Sequence, residues 1–259
     1  MENTLHVEQR GAVCVLTLFR PEKRNAINDE LLGALELFFQ AIPESARVVV
    51  LQGSGEHFCS GLDLAERLAK SSQNPIDGVR HSRRWHRVFE MIQYGEIPVV
   101  SVLKGAVIGG GMELAVSTHV RVAERQTFFR LPEGQHGIFV GGGGSVRIPR
   151  IIGAGRMMEM MLTGRQYDAG EGVQMGLVHH LVKPGQGLAH ALELAERIAS
   201  NAFLSNYAII NAIPRAMDMS TSDGLFAESM VGALTRAGAD GRERIQRYFE
   251  TRKKTPEKK

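Results

Sequence analysis

The chain has 259 residues, 43% hydrophobic and 23% charged, which excludes an intrinsically disordered protein and leaves enough apolar residues to bury a sizeable core. Its net charge of +3 is spread along the chain rather than gathered into a basic stripe with interleaved aromatics, so no nucleic-acid partner is expected. Two cysteines, Cys14 and Cys59, exclude a disulfide framework and fit a reducing compartment; with no secretory h-region and no apolar run of bilayer length, the expected address is the cytoplasm, with no membrane partner.

Residues 11–19 (GAVCVLTLF) form a β-branched apolar run that predicts a strand. A loop follows around Pro21, and Asn28 is placed to cap a helix with Asp29 and Glu30 in its first turn. Leu31, Leu32, Leu35, Phe38, Phe39 and Ile42 then repeat with helical spacing. Residues 47–52 (RVVVLQ) predict a second buried strand, broken by Gly53-Ser54-Gly55. A short helix is expected from about Leu62 and a longer one from about Gly78 to Gln93. The latter carries Arg80, His81, Arg83, Arg84, His86 and Arg87, read first as a solvated helix face and second as partners of a phosphate-bearing small ligand.

Residues 98–103 (PVVSVL) predict another buried strand; residues 116–123 lead into a further one and Phe128-Phe129 into a short one. Helical spacing returns over residues 144–162 and 169–175, and from Gly187 the chain reads as mostly helical, with breaks at Pro214 and Asp223-Gly224. The tail, residues 252–259, is charged and expected to fray. Strands alternating with helices predict an α/β fold. No linker separates two domains, so the helical last quarter is a covering or assembly region of a single domain.

Several motifs fail on inspection. Gly109-Gly110-Gly111 meets Leu114 where the dinucleotide fingerprint needs a third glycine, and Gly141-Gly142-Gly143 meets Val146 there. Residues 137–142 have P-loop spacing, but Gly143 stands in place of the lysine. No H-E-x-x-H and no paired C-x-x-C occurs, so no zinc site is expected, and the adjacent His179-His180 reads as structural. Phe58 replaces the glycine that a nucleophile elbow needs two residues before Ser60.

Three segments remain: residues 57–64 (HFCSGLDL), residues 104–114 (KGAVIGGGMEL), and residues 131–134 (LPEG) leading into the glycines 141–144. Glycine-rich turns between a strand and a helix bring backbone N–H groups close to a ligand, and two such turns together would make a pair of donors for an oxyanion. Glu113 falls in the first helical turn after its glycines and Glu133 follows a proline. Both stand among apolar residues: Ile108, Met112 and Leu114 for the first, Leu131, Ile138 and Phe139 for the second. Burial and a neighbouring carboxylate each raise a carboxyl pKa, which makes such a pair suited to acid/base work on a shared water. Taken singly, a glutamate after glycines is a surface or capping residue, and four glycines in a row are a flexible loop; order and spacing together favour chemistry.

Those segments, with residues 20–28 (RPEKRNAIN), resemble the crotonase (enoyl-CoA hydratase/isomerase) superfamily over nearly the whole chain. The resemblance implies an α/β spiral of ββα units over residues 1–200, holding the coenzyme A and catalytic site, and a helical region over residues 201–259 that assembles homotrimers or homohexamers. It implies a hydro-lyase that adds water across the 2,3-double bond of an enoyl-CoA thioester, with Glu113 and Glu133 as its acid/base pair and the N–H groups of Leu62 and Gly110 as the oxyanion hole. By the same resemblance Ser60, Leu62, Leu64, Gly110 and Gly141 contact the acyl-CoA substrate, Gly141 at a helix start that polarises the thioester carbonyl. Lys23 and Arg24 are phosphate partners. No metal or redox cofactor is implied. Phe19, Arg20, His119 and Val140 depart from the family's usual residues. Residues 84–87 and 134–140 look similar to the (methylthio)acryloyl-CoA hydratase branch, which implies a short acyl group. Two alternatives stay open: another crotonase reaction such as isomerisation, and a non-catalytic module of the same fold that binds RNA or protein.

Overall fold

The computed structural model describes residues 4–70 and 74–254. The larger of two sheets has the order β1 (Leu5–Arg10), β2 (Val13–Leu18), β3 (Val48–Gly53), β4 (Val99–Leu103), β6 (Val120–Glu124) and β9 (His180–Val182). The first pair is antiparallel and all others are parallel, in register Leu16 with Leu51 and Leu51 with Ser101. The strands buried on both faces, β2, β3 and β4, are rich in valine and leucine. Alternate residues serve two cores: Cys14, Leu16 and Val49 face the main one, while Val13, Val15, Val48 and Val50 pack against Ala191 and Ala195 of α8 (Gly187–Ala199). β1 left no apolar signal in the sequence because it is an edge strand with only Leu5 buried.

A smaller sheet holds β5 (Ala106–Ile108), β7 (Phe128–Arg130) and β8 (Tyr167–Asp168). The chain alternates between the sheets: β4 runs into β5 and then α4 (Gly110–Val116), and β6 runs into β7 and then α5 (Gly144–Ile152) and α6 (Ala154–Thr163). After β8, α7 (Ala169–Gln174) leads back to β9. This is a spiral of strand–strand–helix turns. α1 (Asp29–Gln40), capped by Asn28 Oδ1 accepting from Leu31 N, packs against α3 (Pro75–Gln93). His119 ties β4 to the end of α3: its Nδ1 accepts from Val99 N at 2.9 Å and its Nε2 lies 3.0 Å from Gln93 O. His179 is structural in the same sense, its Nδ1 accepting from Arg121 N.

The last helices are α9 (Phe203–Ala216), α10 (Thr221–Ala237) and α11 (Ala239–Lys254). Two expected breaks are corrected. Pro214 lies inside α9, and the helix ends two residues after it, at Ala216. Asp223-Gly224 opens α10 rather than interrupting it: Ser220 Oγ accepts from Asp223 N, and an acidic residue in a first turn is favourable. The short helix expected from Leu62 is α2 (Leu64–Ala69), starting after the Asp63 cap. Helix α11 continues through Lys254, correcting the frayed tail as far as that residue; residues 255–259 lie outside those described.

Candidate active site

The loop after β3 is shaped by Asn25, which is fully buried. Its side-chain amide donates to Ser54 O at 2.9 Å and His57 O at 2.8 Å, and its Oδ1 accepts from Arg20 N. Cys59 N then donates to Ala106 O, and Ile108 N to Cys59 O, so the loop runs as a parallel bridge beside β5. At Gly61 φ is +94°, and a Cβ there would stand 2.7 Å from Ile108 O and 3.1 Å from Gly110 N, so only glycine fits. The corresponding point on Gly110 is 3.4 Å from Leu62 N. The Leu62 and Gly110 amides therefore lie side by side. Hydrogen bonds flank them without using them: Ile27 N donates to Gly61 O, Asp63 N to Ile27 O, and Gly109 N to Arg130 O. Neither amide donates to another backbone group among the described residues.

Gly109 makes the turn into α4 at φ +51°, and its carbonyl accepts from Met112 N and Glu113 N. A Cβ on Gly109 would sit 2.8 Å from Glu133 Oε1, so this glycine is what lets Glu133 close over the turn. Glu113 is buried in the first turn of α4, and its Oε1 accepts from Gly142 N at 2.8 Å and Gly144 N at 2.7 Å. Burial raises its pKa, opposed by those amides, by that of Gly141 and by the charge of Arg147. Arg147 of α5 fastens the glycine turn, donating to Gly142 O at 3.0 Å and Gln93 Oε1 at 2.5 Å.

Glu133 begins a 3-10 turn (Glu133–His136) after Pro132 and is 6% exposed. Its Oε2 is buried and meets no hydrogen-bond partner among the described residues. Burial pushes its pKa from 4.5 up to about 7, a backbone amide opposes this, and the charge of Glu113 adds to the rise. The two carboxyls are thus in electrostatic reach of each other. Of the apolar residues expected around Glu133, Leu131 is buried, while Ile138 and Phe139 are largely exposed after the turn at Gly137.

The residues expected to meet a substrate fall in two places. Ser60 N donates to Arg24 O and Ser60 Oγ to Lys23 O, which sets Lys23, Arg24, Ser60, Leu62 and Leu64 along one rim; the two cations are exposed there, as is Leu64. Gly141 lies three residues before α5, not at its start. The first amide of that helix, Gly144 N, faces Glu113. Of the basic residues on α3, Arg84 pairs with Glu36 and Arg80 with Asp77. Trp85, which the sequence reading left inside that basic run, is buried against Gly110 and Gly142. Its signal was the spacing Trp85, Val88, Phe89 and Ile92, the buried stripe of α3. Among the described residues no group of three or more His, Cys, Asp and Glu side chains gathers around a point that could hold a metal, and no helix is long and apolar enough to cross a membrane.

The enoyl-CoA hydratase/isomerase family model matches residues 8–259. The short-chain-enoyl-CoA hydratase of Clostridium acetobutylicum is 31% identical over 254 residues, covering 97% of this chain and 96% of its own. The 2,3-dehydroadipyl-CoA hydratase of Escherichia coli is 32% identical over 255 residues, covering 98% and 97%. Among solved structures, a candidate enoyl-CoA hydratase from Rhodopseudomonas palustris superposes with a TM-score of 0.93 at 46% identity, covering 96% of each chain. The chain belongs to the enoyl-CoA hydratase/isomerase family and has the crotonase fold with a helical C-terminal region.

Proposed function

We propose that the protein is an enoyl-CoA hydratase that adds water syn across the 2,3-double bond of a short 2-enoyl-CoA, (methylthio)acryloyl-CoA being one such substrate. The observation that carries this reading is the hydrogen-bond asymmetry of two neighbouring buried carboxyls, both raised in pKa by burial: Glu113 Oε1 is held by two amides that oppose that rise, while Glu133, at about 7, has an unpartnered Oε2. A carboxyl with a pKa near neutral holds a proton to give, and one whose oxygen is fixed by backbone donors is oriented to take a proton from water.

In this mechanism the thioester oxygen lies against the N–H groups of Leu62 and Gly110. Glu113 takes a proton from water as its oxygen bonds to C3, and the π electrons shift through C2 onto the thioester oxygen. Glu133 then delivers its proton to C2 as the enolate collapses. The proton on Glu113 passes to Glu133 and resets the pair. One oxyanion donor is typically worth ~2.7–4 kcal/mol of transition-state stabilisation.

Along the rim, Lys23 and Arg24 bind coenzyme A phosphates, and the backbone of Ser60, Leu62 and Leu64 passes the adenine, with Gly141 at the thioester end. The chain works without a further cofactor, in the cytoplasm, as a homotrimer or homohexamer. Residues 1–200 form the catalytic core and residues 201–259 the assembly region. Support for assembly comes from the apolar surface left on α9 and α10, where Ile209, Leu225, Phe226, Met230 and Leu234 are all more than half exposed.

The test is loss of conjugated-thioester absorbance from crotonyl-CoA. The wild type consumes it, and Glu113→Gln and Glu133→Gln each slow turnover by roughly 10²–10⁴-fold. Undiminished turnover in either variant contradicts the paired mechanism.

A further inference from the structure

Trp85 is 4% exposed and is the only tryptophan in the chain. The edge of its six-membered ring lies against both halves of the candidate site. Cζ3 is 2.7 Å and Cη2 3.1 Å from the point where a side chain on Gly110 would begin; Cε3 is 3.1 Å from the corresponding point on Gly142. Glu113 Oε2 is 3.0 Å from that same Gly142 point, as close as the indole. The ring therefore lies between Gly110, whose amide is assigned to the thioester oxygen, and Gly142, whose amide holds the carboxylate assigned to C3. Phe89 backs it edge-on, ring centroids 5.5 Å apart, with its own Cε2 2.9 Å from the Gly142 point.

An acyl chain anchored by its thioester at Leu62 and Gly110, and reacting beside Glu113, extends directly against this wall. A methyl or methylthio end meets the edge of the ring; a longer chain must displace an indole wedged between two glycines and Phe89.

We propose that Trp85 is the specificity residue of this site and limits it to short acyl groups. The proposal rests on the acyl-CoA reading of the site, and its test uses binding of saturated acyl-CoAs, so that a failed hydration assay and a failed length filter are told apart. Calorimetric titration of the full chain with butyryl-CoA and octanoyl-CoA is expected to give at least tenfold weaker binding of the longer ligand. Trp85→Ala, or Trp85→Leu should the alanine variant not fold, is expected to cut that ratio at least fivefold. Because the chain has one tryptophan, butyryl-CoA is also expected to change its emission while free coenzyme A does not. Octanoyl-CoA binding as tightly as butyryl-CoA to the wild type, a ratio that moves less than fivefold in the folded variant, or emission indifferent to butyryl-CoA overturns the proposal.

Discussion

Oε1 of Glu113 accepts two backbone N–H groups, while Oε2 of Glu133, close enough to feel the charge of Glu113, accepts none. One carboxyl is oriented and the other is left free to trade a proton. Glu133 must be protonated to deliver hydrogen to C2, and its pKa is about 7. The kcat/KM for crotonyl-CoA hydration is therefore expected to fall as pH rises through about 7. Glu133→Gln should remove that limb along with most of the activity, by roughly 10²–10⁴-fold. Steady-state rates across pH for both proteins check this.

The same group leaves a mark on stability. Its folded pKa lies above the ordinary 4.5, so between 4.5 and about 7 the folded chain holds a proton that the unfolded chain has lost. Stability contributed by that proton is fully present below 4.5 and declines as pH rises to about 7. The loss is on the order of 3 kcal/mol, at ~1.4 kcal/mol per pKa unit. Glu133→Gln has no such dependence, so its stability relative to the wild type is expected to grow over this window and then level off. Denaturant unfolding of both proteins across pH measures the difference.

Arg147 reaches no reacting atom, yet it holds the turn whose amides hold Glu113. Arg147→Met leaves Gly142 O and Gln93 Oε1 without their donor, at a cost of about 1–3 kcal/mol. The expected kinetic signature is a lower kcat with KM changed much less. Comparing kcat and KM separately, beside a melting curve, distinguishes misplacement of Glu113 from simple unfolding.

How much of this was legible in the sequence depends on which residues face constraints visible along the chain. The glycines before Glu113 and the proline before Glu133 were readable because backbone geometry leaves few residues that fit there. The strands β2, β3 and β4 were readable as mostly apolar, valine-rich runs. The polar edge strand β1 was not, and neither was Trp85, hidden in a basic run whose buried stripe appears only at helical spacing. The clamp of Gly142 and Gly144 on Glu113 joins residues 29 and 31 positions apart, so local pattern gives no sign of it. Pro214 misled by two residues, since α9 runs on to Ala216 before it stops, and Asp223-Gly224 because a helix start and a turn use the same residues.

Gly109 offers a steric test of the Glu133 position. Alanine there adds a methyl 2.8 Å from Glu133 Oε1 and must hold φ +51°. With ψ at −120° this conformation is essentially reserved for glycine, and the backbone penalty is roughly 1–3 kcal/mol. Displacing the carboxyl is expected to lower kcat by on the order of 10²-fold, as a misplacement of about 1 Å does. A Gly109→Ala variant with wild-type kcat, measured on folded protein, would remove the argument that this glycine makes room for Glu133.

The central claim is that both acids act on one face of the double bond. Hydration of crotonyl-CoA in D₂O, with the 3-hydroxybutyryl product analysed by NMR, tests it most directly. The account predicts one deuterium at C2, on the same face as the new C3 hydroxyl. Deuterium on the opposite face, an equal mixture of the two, or no hydration at all would contradict it.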